Sequence, residues 1–244
     1  MPLNKPPSKP NEFAFKEAKR EPVEATILLA GPSGGGKTYS ALLLASGMGK
    51  NIVLIDTERK PATLYANEFK FKRIVLTSPF TPERYASAIK AAMELKPDVL
   101  IIDSATHEWM GKGGILQEKD QMPGVNDYIK WKDLTPRHDR YVERLVSQKC
   151  HTITCVRAKE RFDMVETVNK EGRKISSPRR VGLRPIQRRD FMYDFMISFT
   201  LDPDKHTARL LNSTADIFHT FEPHLLTKKD GEAIASWAKG GKAK

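Results

Sequence analysis

The sequence predicts an α/β protein, a mostly parallel sheet flanked by helices and followed by a C-terminal antiparallel hairpin. Three observations carry that prediction. Short apolar runs alternate with helical stretches, the pattern of repeated strand–helix–strand units. The runs VLIID and HTITCV are continuously apolar or β-prone, which suits strands covered on both faces. Finally, DFMISFTLD, PDK and HTARLLN read as strand, turn and strand around residues 194–212.

Taken in order, residues 1–12 (MPLNKPPSKPNE) hold four prolines and almost nothing apolar, and predict a disordered basic arm. Phe13 and Phe15 then alternate with smaller or polar residues, like a strand with one buried face. They suit packing in their own sheet or strand addition to a neighbouring subunit. The run ATILLAG is a strand entering a glycine-rich turn, and Ala41, Leu42, Leu44, Ala45 and Met48 give the following helix an apolar face ending near Gly47 and Gly49. IVLID (52–56) and RIVLTS (73–78) are the next strands. Thr81 and Pro82 are an N-cap and a first-turn proline for a helix over 82–95. DVLIID (98–103) is a buried strand. Thr135 and Pro136 repeat the cap-then-proline signal for a helix reaching about Gln148, and HTITCV (151–156) follows as a strand. KEG at 170–172 reads as a turn, and GEAIASWAK as a short closing helix. A single domain is expected over 13–240, with a basic tail at 241–244.

Composition narrows the function classes. The formal net charge is +11 over 244 residues, and residues 157–190 alone carry eleven Lys/Arg against five Asp/Glu. Such an excess suits a polyanionic partner, because cations that neutralise phosphates release condensed counterions. A merely solvated basic face is the plainer alternative. The sequence offers no apolar run suited to a leader or a membrane span, so the cytoplasm is the expected compartment. Cys150 and Cys155 read as strand-flanking thiols rather than a disulfide or metal pair.

The chemistry is concentrated in GPSGGGKT. Gly31, Pro32, Ser33, Gly34, Gly35, Gly36, Lys37 and Thr38 satisfy G-x-x-x-x-G-K-[ST] between a strand and a helix. Glycines let successive N–H groups wrap a phosphate chain at a helix N-terminus. Lys37 is placed to reach the β- and γ-phosphates, and Thr38 to ligate Mg²⁺. Asp103 closes VLIID where a Walker B acid holds Mg²⁺ through water. Ser104 follows it, so the hydrolytic base must lie elsewhere. Glu58, after NIVLIDT, is the candidate, on a strand expected beside the P-loop strand; Asp56 is then a supporting acid. Glu108 in ATHEW is the competing base.

GPSGGGKT, IDTER and VLIIDS together resemble the RecA-type P-loop ATPase core, in which a strand ending Asp-x-Glu supplies the catalytic glutamate. The likeness is closer to small phage-encoded ATPases, including the RecA-like branch of phage single-strand annealing proteins. It spans about residues 13–238 and is most specific over 26–104. The resemblance implies ATP and Mg²⁺ as ligands, Glu58 and Lys37 as catalytic residues, single-stranded DNA as partner, and rings or filaments with ATP between subunits. It also implies a role in phage-type recombination, annealing or replication, in the host cytoplasm if the protein is phage-encoded. Annealing or assisted loading is expected rather than strand exchange.

Two stretches are candidate mobile DNA loops, 109–128 and 157–180. Lys112, Arg161, Phe162, Arg173, Lys174, Arg179 and Arg180 are the candidate contacts, with basic residues on phosphates and Phe162 stacking on a base. The plainer reading of Trp109 and Phe162 is a core role. Lys159, and next Arg157, are candidate sensors; Arg184, Arg188 and Arg189 are candidate fingers toward a neighbour's γ-phosphate. A P-loop small-molecule kinase and a nucleotide-gated DNA loader or regulator with little turnover remain the alternative functions.

Overall fold

A computed structural model describes residues 17–124, 126–168, 174–218 and 220–240. The expected arm, Phe13, Phe15 and the 241–244 tail lie outside them. Its strands are β1 (Thr26–Gly31), β2 (Ile52–Asp56), β3 (Lys72–Val75), β4 (Val99–Asp103), β5 (His151–Val168), β6 (Lys174–Pro185), β7 (Ile197–Leu201) and β8 (Ala208–Ser213). Its helices are α1 (Lys37–Met48), α2 (Pro82–Glu94), α3 (Thr106–Met110), α4 (Ile115–Gln121), α5 (Asp127–Val146) and α6 (Lys228–Ala238).

The sheet runs β3-β2-β4-β5-β1-β7-β8, with β6 paired to β5. All pairings from β3 to β7 are parallel, and the β7–β8 pair is antiparallel. This is the expected arrangement, a mostly parallel sheet flanked by helices with a closing antiparallel hairpin. One expectation is corrected: β2 is not beside the P-loop strand. β5 pairs with β1 on one side and β4 on the other, so β4 and β5 both separate β2 from β1.

Both faces are dry because alternate residues of each strand meet a helix layer. Ile27, Leu29, Leu54 and Ile101 pack in the cluster that holds α1 and α6, whereas Leu28, Ala30, Val53, Ile55 and Leu100 pack with Tyr85, Ile89, Tyr141 and Leu145 of α2 and α5. That two-sided burial is why the strands lack hydrophobic alternation. α1 ends at Met48 with Gly49 as its C-cap, where the sequence places the end. Gly47 lies inside the last turn, where a Cβ would fall 2.1 Å from the Lys228 carbonyl oxygen; the glycine permits α6 to dock.

α2 begins as its residues predict, with Thr81 accepting the Arg84 N–H and proline opening the helix. α5 does not. Asn126 caps it by accepting the Ile129 N–H, and Pro136 lies within the helix. The buried stripe Leu134, His138, Tyr141, Val142 and Leu145 continues through the proline, so packing outweighs the one missing backbone donor.

The largest correction concerns 157–180. β5 runs past the sheet to Val168 and pairs antiparallel with β6 from Ala158↔Pro185 to Val168↔Lys174, with a bulge at Arg161/Phe162. The expected loop is a two-stranded ribbon; the KEG turn lies outside the described residues. The expected 109–128 loop likewise contains α4. No helix among the described residues is long and apolar enough to cross a membrane.

Candidate functional site

β1 ends at Gly31, and the chain turns through a Gly35 N–H···O=C Pro32 bond of 3.1 Å into α1. Gly34 and Gly36 adopt φ of +81° and +80°, the left-handed region where glycine is favoured. This wraps the loop around a cavity of about 310 Å³. Ser33, Gly34, Gly36, Lys37, Thr38, Glu58, Asp103 and Arg157 all line it. Residues distant in sequence therefore converge at the carboxyl ends of parallel strands, where such folds bind ligands.

Lys37 is buried, and its ammonium donates to the carbonyls of Gly31 (3.1 Å) and Pro32 (2.8 Å). Thr38 Oγ1 donates to Asp103 Oδ2 at 2.5 Å. The other Asp103 oxygen, Oδ1, is buried without a hydrogen-bond partner. Burial pushes the Asp103 carboxyl up to about 6 against the opposing pull of Thr38 and Lys37. An orphaned carboxylate oxygen beside a threonine hydroxyl is a donor set that fits a hard cation.

Asp56 ends β2 with its carboxylate fully engaged. Oδ1 accepts the Glu58 N–H at 3.0 Å; Oδ2 accepts the Ala62 N–H at 3.0 Å and Arg73 Nε at 2.7 Å. Asp56 thus fixes the backbone that aims Glu58 at the cavity. The Glu58 carboxylate meets Arg157 in a two-point fork, Nε to Oε1 at 3.0 Å and Nη2 to Oε2 at 2.5 Å. Burial pushes this carboxyl up, but the hydrogen bonds and charge of Arg157 outweigh it and hold the group below the usual carboxylate range. Behind it, Thr57 Oγ1 bridges the Ser104 backbone and His107 Nδ1, 2.7 Å away. Burial lowers the His107 pKa.

Glu108 does not line this cavity. It is wholly buried against His138 (3.1 Å) and Gln187 (3.3 Å), and burial raises its pKa. Trp109 stacks on Trp131 with ring centres 5.8 Å apart. Of the candidate sensors, Arg157 lines the cavity while Lys159 is exposed on the ribbon. Arg188 is held by Asp139 (2.5 Å) and Asp190 (2.7 Å); Arg184 and Arg189 are exposed. Lys112 is exposed outside the cavity. Arg161, Phe162, Lys174 and Arg179 lie exposed on the ribbon, Arg180 pairs there with Phe162 through the backbone, and Arg173 is outside the described residues.

Sequence reasoning missed the far wall, formed by Arg59, Lys60, Pro61, Leu64 and Tyr65. Tyr65 meets Tyr39 edge-on at 5.4 Å. The signal was the short run ATLY, which follows the Asp-x-Glu strand end after Arg59, Lys60 and Pro61.

A family model described as an AAA domain matches residues 24–183. The chain belongs to this AAA domain family. The matched span of this AAA domain runs from before β1 to the base of the ribbon and covers the phosphate loop, Glu58, Asp103 and Arg157. Its assignment brings nucleotide binding with it. The fold is similar to the crystal structure of the RadB recombinase, with 14% identity, a TM-score of 0.46, and coverage of 79% of this chain and 83% of that one. It is also similar to a prototypical ATPase from the type III secretion system of pathogenic bacteria, with 15% identity and a TM-score of 0.42 over 74% of this chain. In that case the chain spans about half, 51%, of the other's length. No curated protein matches the chain.

Proposed function

We propose that this AAA domain is a Mg²⁺-dependent ATPase that binds single-stranded DNA as an oligomer and acts in phage-type recombination, annealing or replication. The observation that carries the proposal is the convergence of Lys37, Thr38, Asp103 and Glu58 on one cavity. The glycine-wrapped loop and the N-terminus of α1 offer N–H groups to the phosphates. Lys37, now satisfied by two carbonyls of its own loop, is placed to exchange them for phosphate oxygens. Thr38 and Asp103 would hold Mg²⁺, which supplies charge neutralisation on the phosphates. Tyr65 and Leu64, which line the cavity, would give the nucleobase an apolar wall.

Glu58 is the general base in this reading: a carboxylate at the cavity wall can take a proton from the attacking water. DNA binding is supported by the net charge and by the exposed Lys, Arg and Phe162 of the ribbon. The test is ATP turnover of the protein with and without single-stranded DNA, beside its mass in solution. Added DNA is expected to raise turnover. Glu58→Gln is expected to keep nucleotide binding while hydrolysis falls at least ~100-fold, ~2.7 kcal/mol of barrier. Normal hydrolysis by Glu58→Gln would remove the base assignment.

A further inference from the structure

Glu58 is aimed at the cavity, yet both of its oxygens are taken. Arg157 occupies them through the planar fork that matches a carboxylate, the strong form of a charge-assisted pair. The two backbones are pinned. The Arg157 N–H donates to Thr106 Oγ1 at 2.7 Å, and its carbonyl accepts the Ile186 N–H at 2.7 Å. Glu58 is held by Asp56 through its own N–H. Only the side chains are left to move, and the Arg157 side chain, which lines the cavity, is 34% exposed.

We infer that Arg157 is a nucleotide-gated latch: without a triphosphate it clamps Glu58, and the γ-phosphate draws the guanidinium away and frees the carboxylate. The inference rests on the reading of this cavity as a nucleoside triphosphate site. Its physical core is a competition between two anions for one cation. Register places Arg157 opposite Gly31, so the guanidinium belongs to the strand directly beside the phosphate loop. A terminal phosphate there presents more negative charge and more acceptor oxygens than one carboxylate. A diphosphate lacks the competing group, so the latch stays closed and the site separates ATP from ADP. Arg157 is therefore a positioning residue for Glu58 and a ligand of the γ-phosphate in turn.

The test is equilibrium binding of a non-hydrolysable ATP analogue and of ADP to the full chain, its Glu58→Gln and Arg157→Ala variants, and the double variant. A neutral amide grips the guanidinium less, so Glu58→Gln is expected to tighten the analogue relative to ADP by about 5- to 30-fold. Arg157→Ala lowers the analogue-to-ADP preference, and Arg157→Lys restores part of it. In the Arg157→Ala background Glu58→Gln changes nothing. An unchanged ratio in Glu58→Gln, or the same shift in both backgrounds, overturns the latch; the first outcome needs no Arg157 variant to fold. Failure of the underlying reading is separate: Lys37→Ala would still bind nucleotide, or Glu58→Gln would hydrolyse ATP normally.

Discussion

Asp56 and Glu58 stand two residues apart at the end of one strand, and their surroundings divide the labour between them. Asp56 is 1% exposed and accepts three donors, two of them backbone N–H groups. Glu58 holds one partner, Arg157, at the cavity. The motif IDTER made both acids visible and suggested Asp56 as the supporting one, but not its donors, because two of them come from Ala62 and from Arg73 on β3. Ser104, which takes the place of a second Walker B acid, was the residue that pointed to Glu58. Asp56→Asn is expected to lose stability by about 1–3 kcal/mol, since its amide must turn an N–H toward one of the donors. Turnover should fall with it, as the turn that aims Glu58 loosens. Denaturant midpoints and ATPase rates check this; a variant with wild-type stability and rate would show that Asp56 does not hold the turn.

Elements were legible where one local signal decided them. The apolar strands and the Thr81–Pro82 helix start are of that kind. α5 was not, because its start depends on a stripe packing against α2 and the sheet rather than on Thr135–Pro136. A second long-range tie lies here: Arg137 of α5 binds Glu83 of α2 at 2.7 Å and also Glu118 of α4. The Arg137 hydrogen bond holds the Glu83 carboxyl down to about 2. A carboxyl depressed in the folded state contributes stability above its unfolded value, lost as pH falls toward 2. The pair is half exposed, so Arg137→Ala should cost about 1 kcal/mol or less at pH 7. That deficit should shrink between pH 4.5 and 2, as Glu83 is protonated in both proteins. Urea unfolding across that range measures it; a constant deficit would mean that Arg137 acts through packing.

At the scale of the whole molecule, the net charge pointed to a phosphate-bearing partner, but only the fold shows where that charge is displayed. Reading 157–180 as a loop failed because the ribbon draws no core-facing stripe from its sequence. Its strands are held mainly by each other, from Ala158↔Pro185 outward. On that ribbon Lys159 sits directly opposite Arg184, a like-charged pair that destabilises a ladder unless an anion answers it. Phe162, 53% exposed, lies three residues further out. The odd offset along β5 puts Phe162 on the other face of the ribbon, so a single strand wrapped around the ribbon edge would relieve the first and stack on the second. The ribbon also continues β5 from Arg157, so strand binding there reaches the nucleotide cavity through one unbroken strand. Each phosphate neutralised on a single strand contributes about −0.7 to the slope of log affinity against log salt. Lys159→Ala with Arg184→Ala should therefore flatten that slope by about 1 to 1.5. Phe162→Ala should weaken binding by about 1–3 kcal/mol with the slope kept. Both variants should bind nucleotide as the wild type does, because neither site lines the cavity. Fluorescence anisotropy of a labelled oligonucleotide over a salt series reads both effects; wild-type slope and affinity in both would move the DNA surface off the ribbon.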